Sequence, residues 1–71
     1  MHRRFEFVGG SSAKFWEVSA NGGEVTVCYG RLGTAGQTLT KSFSDNAKAR
    51  QHADKLAGQK LAKGYVECAV H

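Results

Sequence analysis

Between Tyr29 and Gln37 the chain reads YGRLGTAGQ, and no other segment gathers so much recognition chemistry. Tyr29 offers a flat ring that can stack on a sugar or a base. Arg31 offers a planar guanidinium that can fork onto a phosphate. Gly30, Gly33 and Gly36 open the backbone to close approach by a ligand. The segment is not a Walker loop, because no Gly-Lys-Ser/Thr follows. It is not a dinucleotide fingerprint, which needs a parallel strand before it and a helix after it. Two readings stand. One is a wide connection or bulge between antiparallel strands. The other is a phosphate contact by backbone and Arg31, with Tyr29 stacking beside it.

Other reactive residues give less. Cys28 could act as a nucleophile if His52 stood beside it. Yet Cys28 falls out of phase with Val25, Val27 and Tyr29, and no third group is identifiable. Ser11 and Ser12 lack the strand–turn–helix setting of a nucleophile elbow, and no pair of carboxylates stands out. The reading is therefore not an enzyme. Two cysteines and three scattered histidines make no zinc spacing. No metal and no cofactor is expected.

The elements that position these residues follow from periodicity. Residues 3–8 alternate, with Phe5 and Phe7 facing one way and Arg4 and Glu6 the other, as in a half-buried strand. Residues 9–12 read as a loop and 14–20 as a second strand rich in aromatic and β-branched residues. Asn21-Gly22 signals a type I′ hairpin, whose two central positions both need positive φ. Residues 24–29 form the return strand, 30–36 break the pattern, and 37–43 resume it. Then the period changes. Ser44 or Asp45 can cap a helix over about 46–62. Its stripe is Ala49, Ala53, Leu56 and Lys60, with His52 and Ala57 at the margins. Gly64 suits the position after the helix, and residues 65–70 form a short last strand or a tail. A lysine in an apolar stripe either snorkels outward, pairs with an acid or meets a ligand, so Lys60 is a candidate.

The predicted fold class is α+β: a small antiparallel sheet of four to five strands with one main helix packed on one face. The other face is then partly open, and basic residues on it would make a binding surface. Separately, a basic surface could be assembled from Arg3, Arg4, Lys14, Arg31 and Lys41 if their strands present them together. With 71 residues the chain reads as a single domain, 1–71, with a small core. Ten Lys/Arg against six Asp/Glu give +4, moderately basic and compatible with a nucleic-acid partner. Two cysteines are too sparse for a secreted disulfide scaffold. With no apolar run of membrane-spanning length and no signal-peptide core, a cytoplasmic protein with reduced thiols and no membrane partner is expected.

Taken together, several segments resemble one family, the WGR domain, named for a Trp-Gly-Arg motif. Lys14 to Val18 is similar to its second-strand segment. Tyr29-Gly30-Arg31-Leu32-Gly33-Thr34 with Gly36-Gln37 is similar to its signature. Lys41 to Phe43 and Ala47 are similar to its approach to the helix. Gln59-Lys60-Leu61 with Lys63-Gly64-Tyr65-Val66-Glu67 is similar to its helix end. The resemblance runs from about residue 5 to 67. It implies a small antiparallel sheet with one main helix. WGR domains occur in nuclear poly(ADP-ribose) polymerases, where they contact DNA near a break and relay that event to neighbouring domains. They also occur in bacterial proteins, including a molybdate-metabolism regulator and short stand-alone proteins, and this chain resembles the short bacterial kind. Gly30 and Arg31 match the motif, and Lys60 matches a basic helix position. Tyr29 stands where the family has tryptophan. In the DNA-binding members that aromatic packs against a sugar at a DNA end. Tyrosine keeps a flat face with less area and adds a hydroxyl.

The functional expectation is a non-catalytic nucleic-acid-binding module, for DNA rather than RNA and for ends or nicks. Tyr29, Gly30, Arg31, Lys41 and Lys60 are its candidate contacts. The alternative is a protein-interaction module that docks a partner on a sheet edge or on the Tyr29–Gln37 loop.

Overall fold

The alternating segments form five antiparallel strands in the order β4-β3-β2-β1-β5, with one helix against one face. The structure is a computed structural model and describes residues 1–68. Its elements are β1 (His2–Gly9), β2 (Ser12–Asn21), β3 (Glu24–Arg31), β4 (Gln37–Ser42), α1 (Asn46–Ala62) and β5 (Val66–Cys68). The fold is the expected small α+β class. The last segment, strand or tail by its sequence, is a strand, β5, paired to β1. Residues 69 and 70 of that expectation lie outside the described residues.

One turn differs from its sequence signal. Asn21 pairs with Glu24, so the hairpin turns on Gly22 and Gly23, not on Asn21-Gly22. Both glycines have positive φ, +59° and +87°. A Gly-Gly pair meets the type I′ requirement without a Cβ penalty, whereas Asn at the first position would carry one. The shift of one residue lets Asn21 extend the strand.

The register sorts side chains onto two faces, since successive residues alternate. Phe5 lies opposite Trp16, and Trp16 opposite Tyr29. Val18 lies opposite Val27, and Ala20 opposite Val25. This is the face that α1 covers, across β2 and β3. Phe5, Val18 and Val25 are its fully buried larger side chains, and the Phe5 and Trp16 rings stand 5.7 Å apart, tilted. Each such residue contributes about 1.5–3 kcal/mol by leaving water.

Asp45, not Ser44, caps α1; its carboxylate accepts the Lys48 N–H at 2.8 Å. The buried stripe of the helix is Ala49, Ala53 and Ala57, each with no exposed surface. Ala57, which spacing puts at the margin, lies at the centre, while Leu56 and Lys60 are half-buried on the flank. The cause is size. Three alanines let the helix lie close to the sheet, and the larger side chains one step round the helix point along its side. Past the helix, Gly64 (φ +95°) turns the chain, the Gly64 N–H reaches Leu61 O and the Tyr65 N–H reaches Lys60 O. This Schellman pattern sets Tyr65 back beside Lys60.

Candidate nucleic-acid interface

The loop after β3 is built by glycine packing. A Cβ on Gly30 would lie 2.8 Å from Gly36 Cα, and one on Gly36 would lie 2.5 Å from Tyr29 O and 2.7 Å from the Phe15 ring. Gly36 also has φ +72°. The loop therefore folds back on Gly30 and Phe15, and main chain meets main chain where the sequence leaves room for a ligand. Thr34 ties the turn by donating its hydroxyl and its N–H to Arg31 O at 2.7 and 3.1 Å. Arg31 itself ends β3 with an exposed side chain.

Parity then decides where the candidates go. Arg31 lies opposite Lys14, and Lys41 opposite Val25, so all three share the helix-covered face with Tyr29. The helix covers only part of that face. Between its flank and β3–β4 a groove of about 680 Å³ remains, lined by Trp16, Val27, Tyr29, Leu39, Leu56 and Tyr65 among others. Lys14, Arg31, Lys41 and Lys60 line it too, as does His52. Tyr29 is 37% exposed there, and its hydroxyl donates to Gln37 Oε1 at 3.1 Å, which fixes the ring across the strand pair.

The structure divides the five cations that could share one basic surface: Arg4 alone lies on the helix-free face. On that face Arg4 is held by Glu6 and Glu17, and His2 bonds Glu17 at 2.8 Å. Arg3 is on the helix face but is engaged by Glu67 at 2.8 Å and by Asp54. Lys14, Arg31 and Lys41, by contrast, make no ion pair among the described residues. Glu6 and Glu17 thus hold Arg4 on the open face and Glu67 and Asp54 hold Arg3, while the four cations that line the groove, Lys14, Arg31, Lys41 and Lys60, make no ion pair among the described residues.

Lys60 meets rings, not the acid that one reading supplies. Its ammonium lies 5.5 Å from the Trp16 ring centre and 5.2 Å from that of Tyr65. Such contacts favour the cation. Burial nevertheless holds the Lys60 ammonium below the usual lysine range, and Lys63 and Lys14 push it the same way. An anion arriving here would relieve that repulsion. Lys14 lies over Phe7 at 5.2 Å and over Tyr65 at 5.8 Å. Tyr65 and His52 are groove residues that sequence reasoning did not assign. The Gly-Tyr exit from the helix is the signal that could have pointed to Tyr65.

The Cys28–His52 pairing does not form. Cys28 faces the helix-free side, where its thiol donates to Ala35 O at 3.4 Å, and His52 sits across the sheet against Phe43, ring centres 4.9 Å apart. Among the described residues no group of three His, Cys, Asp or Glu side chains could hold a metal, and no helix is long and apolar enough to cross a membrane.

A cationic, aromatic-walled groove on a small α+β domain defines a binding module. The chain belongs to the WGR family, whose domain model matches residues 1–70. Protein YehF of Escherichia coli K12 is 43% identical over 67 residues, which are 94% of this chain and 24% of that protein. The protein YfeS of the same strain, described as uncharacterized, is 36% identical over 67 residues, 94% of this chain and 28% of that one. A crystal structure of a Bacteroides fragilis protein superposes with a TM-score of 0.93 at 46% identity, covering 97% of this chain and 20% of that one. The chain thus spans about a quarter of the length of the curated relatives it matches.

Proposed function

We propose that residues 1–71 act as one non-catalytic domain that binds nucleic acid in the cytoplasm, DNA rather than RNA, at ends or nicks. The observation that carries this reading is the set of unopposed cations round an aromatic groove. Arg31, Lys41 and Lys60, with Lys14 added, contact backbone phosphates. Tyr29, held by Gln37 across the strand pair, packs on a sugar. Gly30 lets the loop close so that Arg31 leaves the strand beside the groove. Membership of the WGR family supports a binding role of this kind.

Fluorescently labelled duplexes with blunt ends, with a nick, and as single strands test it at two salt concentrations. Nicked or blunt duplex should bind more tightly than single strands. With about four phosphates engaged, log K should fall against log salt with a slope of about −3 to −4. Absence of binding at low salt to every form would overturn the reading. A salt-independent complex with a protein, in place of nucleic acid, would move the assignment to an interaction module.

A further inference from the structure

Five side chains near the C-terminal end of α1 alternate ring and cation: Phe7, Lys14, Tyr65, Lys60 and Trp16. The Phe7 and Tyr65 ring centres are 5.5 Å apart, and Lys14 lies over both. Lys60 lies over Tyr65 and Trp16. Tyr65 is the only member that touches both lysines. Its place is fixed by backbone, because the Schellman bonds at Leu61 and Lys60 set the chain direction at residue 65. No carboxylate shares in holding either ammonium among the described residues.

We propose that Tyr65 is a positioning residue: its ring holds the Lys14 and Lys60 ammonium groups as a fixed pair, and that pair is a seat for backbone phosphate. The inference rests on the nucleic-acid reading above and adds a device to it. Two free lysine chains lose rotamer entropy when they grip an anion. Lysines already resting on ring faces lose less, so the pair is preorganised. The ring is neutral and does not cancel the charge, as an acid would. Lys14 comes from β2 and Lys60 from α1, so the seat also spans the seam between sheet and helix.

The test is a cycle of Tyr65→Leu, Tyr65→Phe and the pair Lys14→Ala/Lys60→Ala, read by binding to a nicked duplex and by proton NMR. Tyr65→Phe keeps the ring face and should keep affinity within about twofold, as expected when the face alone makes the contact. Tyr65→Leu should weaken binding and reduce the salt slope by up to about two units, as expected when two phosphates are no longer neutralised. In the double-lysine background Tyr65→Leu should then cost nothing further, because it acts through the lysines. With no nucleic acid present, the ring-current shift of the Lys14 and Lys60 ε-methylene protons should fall in Tyr65→Leu to what Phe7 and Trp16 supply and should be kept in Tyr65→Phe. If wild type binds and Tyr65→Leu has the wild-type slope, or the two changes simply add, the positioning role is overturned while the binding reading stands. If wild type binds no nucleic acid, that reading fails, and the phosphate seat fails with it; the ring-current result then reports only on the packing.

Discussion

Lys14 and Arg31 are cross-strand partners on the face of the sheet that the helix partly covers. Two cations directly opposite one another are unfavourable in a sheet unless something else is served. Here neither is paired to an acid among the described residues, although Arg3 and Arg4 on the neighbouring strand both are. The electrostatic cost is confined to the groove.

If that cost reflects phosphate binding, removing either member should tell. Arg31→Ala and Lys14→Ala should each weaken duplex binding at low salt and lower the salt slope by about one unit. Arg4→Ala, on the open face, should leave the slope unchanged. Anisotropy titrations over a salt series measure all three.

The glycine loop makes a stability prediction independent of any ligand. Gly36→Ala combines a left-handed backbone position with a Cβ 2.5 Å from Tyr29 O. It should cost more than about 2 kcal/mol, since strain and steric overlap add. Gly33 also has positive φ but faces open space. Gly33→Ala should therefore cost only about 1 kcal/mol. Urea denaturation of the two variants gives the comparison.

The alanine stripe of α1 leaves no room. Ala53→Leu should destabilise by about 1–3 kcal/mol through overpacking, because Ala53 has no exposed surface under the helix. Ala62, exposed at the end of α1, should accept the same change within about 0.5 kcal/mol. Thermal unfolding checks the pair.

The open face predicts a mild acid sensitivity. The bond from His2 and then that from Arg4 hold the Glu17 carboxyl below its usual value, against the opposing effect of burial. A lowered folded value means that its stabilisation is complete above the ordinary carboxylate value and is lost as pH falls through the folded one. The window lies below the ordinary value of 4.5. The side chain is 26% exposed, so the effect should stay under about 1 kcal/mol. Glu17→Gln should flatten this part of the stability–pH profile, as read by urea midpoints at pH 6, 4 and 3 (values chosen about the carboxylate range).

Most of the sheet was legible because Phe5, Phe7, Val25, Val27 and Tyr29 alternate cleanly, and alternation has one structural meaning. The helix stripe was harder. Ala57 and Leu56 are adjacent, and hydrophobicity favours leucine for the inside, whereas the close approach of helix to sheet favours alanine. The site was legible residue by residue but not as a surface. Parity assigns Arg31 to the Tyr29 face, yet no local pattern says that α1 packs on that same face and leaves β4 and the Tyr29 end of β3 exposed. Nor does spacing reveal that Lys60 rests on Trp16 and Tyr65, because that contact joins β2, α1 and the turn after it.

If the groove, not the open face, is the binding surface, amide NMR of the labelled domain titrated with a nicked duplex at low salt shows it most directly. The predicted result is shift changes at Lys14, Tyr29 to Arg31, Lys41, Lys60 and Tyr65, with His2, Glu6, Glu17 and Thr26 unmoved. Changes centred on those open-face residues, or none anywhere, would contradict it.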